Sequence, residues 1–136
     1  LKITRRLASF GMDYIECGWP GSNPKDAEFF SRAATELDVK TRHKLVAFGS
    51  TRRKSLAAKD DAQIRALMES GAPTLCIVAK GHRWQVEDIL RARPDENLEM
   101  IQDSVDYLVG AGRRVFVDLE HFFDGYKYDA EYTMAC

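Results

Sequence analysis

A set of short, continuous apolar runs constrains the fold of this chain more than any other feature. The runs cover Tyr14–Cys17, Leu45–Phe48, Leu75–Ala79 and Val115–Leu119. Short, continuous runs that are mostly apolar and partly β-branched are typical of strands buried on both faces of a sheet. We therefore predict a buried strand at each of these four positions.

Segments with helical periodicity separate the predicted strands. In the first, Ile3, Leu7 and Phe10 fall on one face, and Gly11 follows as a C-terminal stop. The later helices have the apolar stripes Phe29, Ala33 and Leu37, then Ile64, Leu67 and Met68, then Leu98, Ile101, Val105 and Leu108. A last helix is predicted to begin near Ala130.

Residues that favour helix starts support these boundaries. Asn23 is a suitable N-cap and Pro24 suits the first helical position, while the third helix is predicted to start at Asp61. Pro94 is expected to separate the long helix from a short helical turn at Val86–Arg91.

The alternation of helices and strands predicts a parallel sheet with right-handed crossovers. Periodicity alone does not distinguish an open, doubly wound sheet from part of a closed barrel. Two observations favour the barrel. No Gly-x-Gly-x-x-Gly or P-loop motif follows any predicted strand. A complete (β/α)8 barrel needs roughly 250 residues, so a chain of 136 residues is expected to be a part of one.

Composition narrows the class of protein. The chain is 45% apolar with a formal net charge of -1, so we expect a soluble globular domain without affinity for nucleic acid or membranes. Cys17, Cys76 and Cys136 are widely spaced and odd in number. Such a pattern favours reduced thiols in a cytoplasmic enzyme over a disulfide framework or a zinc site.

After the first and the last predicted strand the chain is expected to break into a polar loop that contains glycine. Most residues at the end of each predicted strand or just after it are polar. They are Glu16; Gly49, Ser50 and Thr51; Lys80, Gly81 and His82; and Asp118, Glu120 and His121. Because the carboxyl ends of parallel barrel strands meet on one face, we expect these residues to form a polar pocket.

Three segments carry a resemblance to a known family: Tyr14–Asp26, Ala47–Lys54 and Glu120–Lys127. Together and in this order they resemble the citramalate synthase branch of the isopropylmalate and homocitrate synthases, which are metal-dependent TIM-barrel enzymes. The resemblance covers nearly the whole chain. It implies that residues 1–136 are a fragment of a single catalytic domain, comprising about the second to fifth strands of the (β/α)8 barrel.

The resemblance also implies a function. It predicts an acyltransferase that condenses acetyl-CoA with a 2-oxo acid, most simply pyruvate, giving citramalate for isoleucine biosynthesis. The intact enzyme is expected to be a homodimer and to use Mg²⁺ or Mn²⁺. An isopropylmalate synthase, a homocitrate synthase, a lyase of the reverse reaction and a non-catalytic barrel remnant are the alternatives.

The resemblance assigns catalysis to two glutamates. Glu120 falls on the residue implicated in handling the methyl proton of acetyl-CoA; the alternative is an acid that caps the next loop or pairs with Lys127. Glu16 falls on a glutamate near the metal-bound substrate, where it would orient an arginine and an aspartate of the first barrel strand. The alternative for Glu16 is a buried salt-bridge partner.

Substrate binding is assigned to four further residues. Lys80 would act as a point charge toward Glu120 or a substrate carboxylate, and Asp118 would shape the oxo-acid pocket. Phe48 and Ser50 belong to the second matching segment and are expected to line the same pocket.

Further candidates are a basic run, a histidine and residue types that bind metals. Arg52–Lys54 could attract the phosphates of coenzyme A, but we favour a solvated loop. We favour a structural role for His121. No metal-binding spacing of histidines or cysteines occurs. The resemblance places the metal ligands on the first and seventh barrel strands, outside this chain.

Overall fold

The computed structural model describes residues 1–136 and contains a parallel sheet with helices between its strands. The strands are β1 (Ile15–Glu16), β2 (Leu45–Ser50), β3 (Thr74–Lys80) and β4 (Arg114–Glu120). The helices are α1 (Lys2–Ser9), α2 (Pro24–Glu36), α3 (Val39–Arg42), α4 (Ala62–Glu69), α5 (Pro94–Gly110), α6 (Phe122–Tyr128) and α7 (Ala130–Ala135). A 3₁₀ helix covers Ala58–Asp60 and a π-helix covers Gln85–Leu90. None of the helices combines the length and apolar character needed to cross a bilayer.

The sheet has the strand order β1-β2-β3-β4, with every neighbouring pair parallel. All four predicted strands and their parallel pairing are therefore confirmed. In this register Phe48, Cys76 and Phe116 lie side by side on one face. Ala47 and Leu75, one residue earlier on β2 and β3, project into the core on the helical side.

The main core lies between the sheet and helices α2, α4 and α5. It joins strand residues to one face of each helix and comprises Phe30, Ala33, Leu37, Leu45, Ala47, Ile64, Leu67, Ala72, Leu75, Ile77 and Leu108. The predicted caps hold α2 and α4 in place: Asn23 accepts from the amide of Asp26, and Asp61 accepts from the amides of Gln63 and Ile64. The pattern of apolar residues therefore accounts for the sheet and for the helices that pack against it.

Two helical faces differ from the prediction. The stripe of α1 is not buried, because Ile3 is 76% and Phe10 63% exposed, and α1 packs through Thr4 instead. In α5 the buried face includes Asn97 and Ser104. The predicted stripe does lie on this face, since Ile101 and Leu108 are buried and Leu98 and Val105 are partly buried against core residues. Apolar periodicity does not detect the polar members of the same face.

The segment after β4 also differs from the prediction. A glycine-containing loop was expected after Glu120, but Phe122–Tyr128 forms helix α6. Gly125 lies in this helix because of close packing: a Cβ atom there would be 2.7 Å from the carbonyl oxygen of Gly81. The chain turns at His121, which has a φ of 57° and is exposed, so His121 does not lie buried in the strand as a structural histidine would.

Candidate active site at the carboxyl ends of the strands

An ion pair joins the last residues of β3 and β4. Lys80 and Glu120 are direct partners in the parallel register, and the ammonium of Lys80 donates a hydrogen bond to the carboxylate of Glu120. The side chains are 29% and 40% exposed, so the pair is open to a ligand. Of the two partners considered for Glu120, Lys80 is the one in contact, and Lys127 is not.

This contact lowers the pKa of Glu120. The hydrogen bond from Lys80 holds the pKa of the Glu120 carboxyl below its usual value, against the opposing effect of partial burial. The charge of Lys80 and the nearby His121 act in the same direction. Glu120 is therefore an ionised carboxylate at neutral pH, as a general base must be, but a weaker base than a free glutamate.

A second cluster lies on the face of the sheet. The side chains of Glu16 and Asp118 both act on the thiol of Cys76 from neighbouring positions on that face. Burial, reinforced by these two carboxylates, raises the pKa of Cys76 to about 11. Cys76 is therefore a protonated, inert thiol, and the cluster presents two carboxylates beside it.

Glu16 and Glu120 stand at different heights on the sheet. Glu16 is in register with Val46, which pairs with Thr74 and, through it, with Arg114. Glu120 is at the opposite end of β4 from Arg114, about 20 Å along the strand at the usual rise per residue. Glu16 is exposed and forms no ion pair, so it is not a buried salt-bridge partner.

Ser50 and Lys80 share a cavity of about 330 Å³ at the ends of β2 and β3. Its wall is largely apolar and includes Leu90 and Met100. Phe48 lies lower on the sheet face, where its ring meets that of Trp19 edge to face at 5.5 Å. Ser50 and Asp118 lie in one row, on either side of Val78, and the pair of Lys80 and Glu120 lies two residues further along β3 and β4. Phe48 and Glu16 lie lower on the same face of the sheet.

The basic run beside this cavity is not a uniformly solvated loop. Arg52 is only 8% exposed, and its Nε lies 2.6 Å from Oδ2 of Asp103. Its backbone amide donates to the hydroxyl of Ser104 at 2.9 Å. Arg53 and Lys54 are exposed, as predicted. Arg52 therefore anchors the loop to α5.

Sequence reasoning missed three buried polar residues behind Lys80. Asn97 donates to the carbonyl oxygen of Lys80 at 3.0 Å and to the hydroxyl of Tyr132 at 2.8 Å. Thr133 donates to the carbonyl oxygen of Gly81 at 2.8 Å. The only sequence signal was Asn97, an amide next to the apolar stripe of α5, which the periodicity argument passed over.

No group of three or more histidine, cysteine, aspartate or glutamate side chains is arranged to hold an ion. The assignment of the metal ligands to other parts of the protein stays a prediction.

These features define the class: a parallel α/β unit whose candidate site is a lysine–glutamate pair at adjacent strand ends, where α/β enzymes hold their active sites. No protein-family model matches the chain. Curated relatives do. The chain is 54% identical to the (R)-citramalate synthase of Streptomyces coelicolor over 133 aligned residues. The aligned segment makes up 98% of the chain and 25% of that relative.

Two further relatives bear the same name. The (R)-citramalate synthases of Aquifex aeolicus and Sulfolobus acidocaldarius are 42% and 41% identical to it, each over 134 residues that make up 98% of the chain and 25% of the relative. The resemblance drawn from the three sequence segments is confirmed: the chain is homologous to one segment of the (R)-citramalate synthase family. It spans about a quarter of the length of the curated relatives it matches.

Proposed function

We propose that the protein carrying this chain condenses acetyl-CoA with a 2-oxo acid, and that pyruvate is the acceptor and citramalate the product. The observation that carries the proposal is the ion pair of Lys80 and Glu120 at adjacent strand ends, beside a largely apolar cavity. The similarity to (R)-citramalate synthases over nearly the whole chain supports it.

In the proposed reaction, the carboxylate of Glu120 accepts a proton from the methyl group of acetyl-CoA, directly or through a water. The resulting enolate carbon attacks the keto carbon of the oxo acid, forming a carbon–carbon bond, and the keto oxygen takes up a proton. Water then hydrolyses the thioester and releases coenzyme A and a 2-hydroxy-2-methyl diacid. Glu120 suits the first step because it is an ionised carboxylate at a strand end, where a substrate can reach it.

Lys80 supplies the positive charge that the negative groups in this reaction need. Its ammonium can stabilise the enolate oxygen or bind the carboxylate of the oxo acid, and either contact would loosen its hold on Glu120. Since that hold is what lowers the pKa of Glu120, substrate binding would make Glu120 more basic at the moment when it must take a proton. Proton removal would thus be coupled to substrate binding.

The finer assignments belong to the same proposal. The parallel strands in sequential order would be the second to fifth strands of a (β/α)8 barrel. Glu16 would orient polar residues of the first barrel strand, and Asp118, Phe48 and Ser50 would shape the oxo-acid pocket. A divalent metal would polarise the keto group, with ligands elsewhere in the protein. We further propose that the intact protein is a homodimer and that it acts in isoleucine biosynthesis in the cytoplasm.

Glu120→Gln tests the catalytic assignment, because it keeps the shape of the side chain and removes its basicity. Turnover is measured as coenzyme A thiol released from acetyl-CoA and pyruvate. We expect a fall of about 100-fold or more, the range for loss of a general base. Glu131→Gln, at an exposed acid on α7 without an ion pair, is the matched control and should leave turnover unchanged. Turnover of Glu120→Gln within about threefold of wild type would show the assignment to be wrong.

A panel of 2-oxo acids tests the acceptor. Pyruvate should give the highest kcat/KM, with branched and dicarboxylic oxo acids far behind. A preference for a larger acid would instead indicate an isopropylmalate or homocitrate synthase. Absence of thiol release with every oxo acid, in folded protein supplied with Mg²⁺ or Mn²⁺, would favour the non-catalytic alternative.

A further inference from the structure

The backbone where β3 ends is held by side chains from two other elements. The carbonyl oxygens of Lys80 and Gly81 accept hydrogen bonds from Asn97 on α5 and from Thr133 on α7, at 3.0 and 2.8 Å. The amide of Gly81 continues toward β4 by donating to the carbonyl oxygen of Glu120 at 3.4 Å. Beyond the last strand pair these buried carbonyls need other donors, and the helices supply them.

The donors are themselves fixed by burial. Thr133 is fully buried, Asn97 is 1% exposed and Tyr132 is 7% exposed. An asparagine amide has two N–H donors, and Asn97 uses one on Lys80 and the other on the hydroxyl of Tyr132. The Tyr132 hydroxyl in turn donates to the carbonyl oxygen of Pro94 at 3.4 Å. The hydrogen-bond network therefore ties α5, α7 and the end of β3 together.

Helix α6 closes the remaining side. A Cβ atom at Gly125 would lie 2.7 Å from the carbonyl oxygen of Gly81 and 2.9 Å from the hydroxyl oxygen of Thr133. The backbone of α6 thus packs directly on Gly81 and on the hydroxyl of Thr133 that donates to it. This close packing leaves no space in which Gly81 or the hydrogen bond could shift.

We propose that Asn97, Tyr132 and Thr133 are positioning residues that fix the end of β3 so that Lys80 faces Glu120. Asn97 and Thr133 touch the main chain of Lys80 and Gly81, and Tyr132 acts through Asn97. None of the three reaches the reacting atoms. A lysine side chain has many rotamers, so its contact with Glu120 persists only if its backbone is held. The inference rests on the proposed function, because that function gives the ion pair of Lys80 and Glu120 a catalytic purpose.

The test reads the pKa of Glu120 directly, by ¹³C NMR titration of its side-chain carboxyl, with the signal assigned by its loss in Glu120→Gln. Thr133→Val removes the hydroxyl but keeps the shape. We expect the pKa of Glu120 to rise toward its ordinary value of 4.5 as Lys80 loses its fixed position. Tyr132→Phe should shift it in the same direction by less, because Asn97 keeps its bond to Lys80.

Matched variants separate positioning from general destabilisation. Thr35→Val and Tyr128→Phe make the same chemical changes at exposed positions and should leave the pKa of Glu120 unchanged. Thr133→Ser retains the hydroxyl, so it should restore the wild-type pKa even if the lost methyl group lowers stability. If Thr133→Val does not fold, Tyr132→Phe and Thr133→Ser decide the question.

The outcomes distinguish this inference from the proposed function. An unchanged pKa of Glu120 in folded Thr133→Val, or in Tyr132→Phe where Thr133→Val does not fold, would overturn the positioning role. A raised pKa with a matching upward shift of the acid limb of kcat/KM supports both ideas. A raised pKa in a protein that never condenses acetyl-CoA with any oxo acid would keep the positioning role and refute only the catalytic purpose.

Discussion

Nε of Arg52 lies 2.6 Å from Oδ2 of Asp103, and this ion pair joins the loop after β2 to the middle of α5. The same carboxylate oxygen accepts a hydrogen bond from the amide of Ala58 at 2.9 Å. Asp103 therefore ties both ends of the segment that precedes α4 to one point on α5. The cavity beside Lys80 has this loop as one wall, so its shape depends on the pair.

Asp103→Asn should destabilise the protein by about 2 kcal/mol, because it leaves the guanidinium of Arg52 buried without an opposite charge. Partial exposure of Asp103, at 43% of its side chain, keeps the cost below that of a fully buried pair. Urea unfolding monitored by circular dichroism measures the change. Asp106→Asn, at an exposed aspartate on the same helix that forms no ion pair, is the control and should cost less than about 0.5 kcal/mol.

Lys80→Met should raise the pKa of Glu120 and reduce stability in a pH-dependent way. The folded pKa of Glu120 lies below its unfolded value near 4.5, so its contribution to stability is present above that pH and is lost as the pH falls through the folded pKa. The variant should therefore be less stable than wild type at about pH 6 by about 0.5 kcal/mol, a value limited by solvent screening, and the difference should be smaller at about pH 3.

Lys127→Met is the control for that experiment, since Lys127 is exposed and has no contact with Glu120. Its unfolding free energy should follow the wild-type curve at both pH values. The assignment of the ion pair would be contradicted if Lys127→Met, rather than Lys80→Met, flattened the pH dependence.

Asp61→Ala should cost about 2 to 3 kcal/mol. The carboxylate of Asp61 is fully buried and accepts hydrogen bonds from the amides of Gln63 at 2.7 Å and Arg53 at 2.9 Å, so the substitution leaves buried donors without partners. Asp38→Ala removes the cap of α3 at an exposed position and should cost clearly less than Asp61→Ala. Equal losses in thermal or urea unfolding would show that burial of the cap does not matter.

Gly49→Ala should destabilise the protein by about 1 to 3 kcal/mol through overpacking. A Cβ atom at Gly49 would lie 2.8 Å from Cδ1 of Leu67, at the centre of the contact between β2 and α4. Gly110→Ala, where a Cβ atom meets nothing within 4 Å at the end of α5, should leave stability unchanged or raise it by about 0.5 kcal/mol. A neutral Gly49→Ala would mean that Leu67 moves aside without cost.

The fold could be predicted from the sequence wherever a residue type or pattern favours only one local structure. Continuous apolar runs marked the strands, and Asn23 and Asp61 marked helix starts, because capping needs a short polar side chain. Gly125 misled the prediction, since a glycine signals a turn as readily as close packing and only the neighbouring backbone of Gly81 distinguishes them. The exposed stripe of α1 shows that periodicity predicts a helix without saying which elements cover it.

Part of the candidate site's geometry could be predicted. Lys80 and Glu120 were placed at strand ends by position, and Glu120 was one of the two partners expected for Lys80. The register of β3 and β4, which makes the two residues direct partners, is not determined by local patterns. The difference in height between Glu16 and Glu120 has the same origin. The buried roles of Asn97 and Thr133 depend on contacts with residues 17 and 52 positions away, which no local motif records.

The strand order β1-β2-β3-β4 has a consequence for synthesis of the protein on the ribosome. Each strand pairs with the strand synthesised just before it. Every strand pair can therefore form as soon as its second strand leaves the exit tunnel. The hydrogen bond from Thr133 to Gly81 is different, because it waits for a helix translated after β4. During translation, the sheet can therefore assemble in order while the lysine–glutamate pair acquires its final support last.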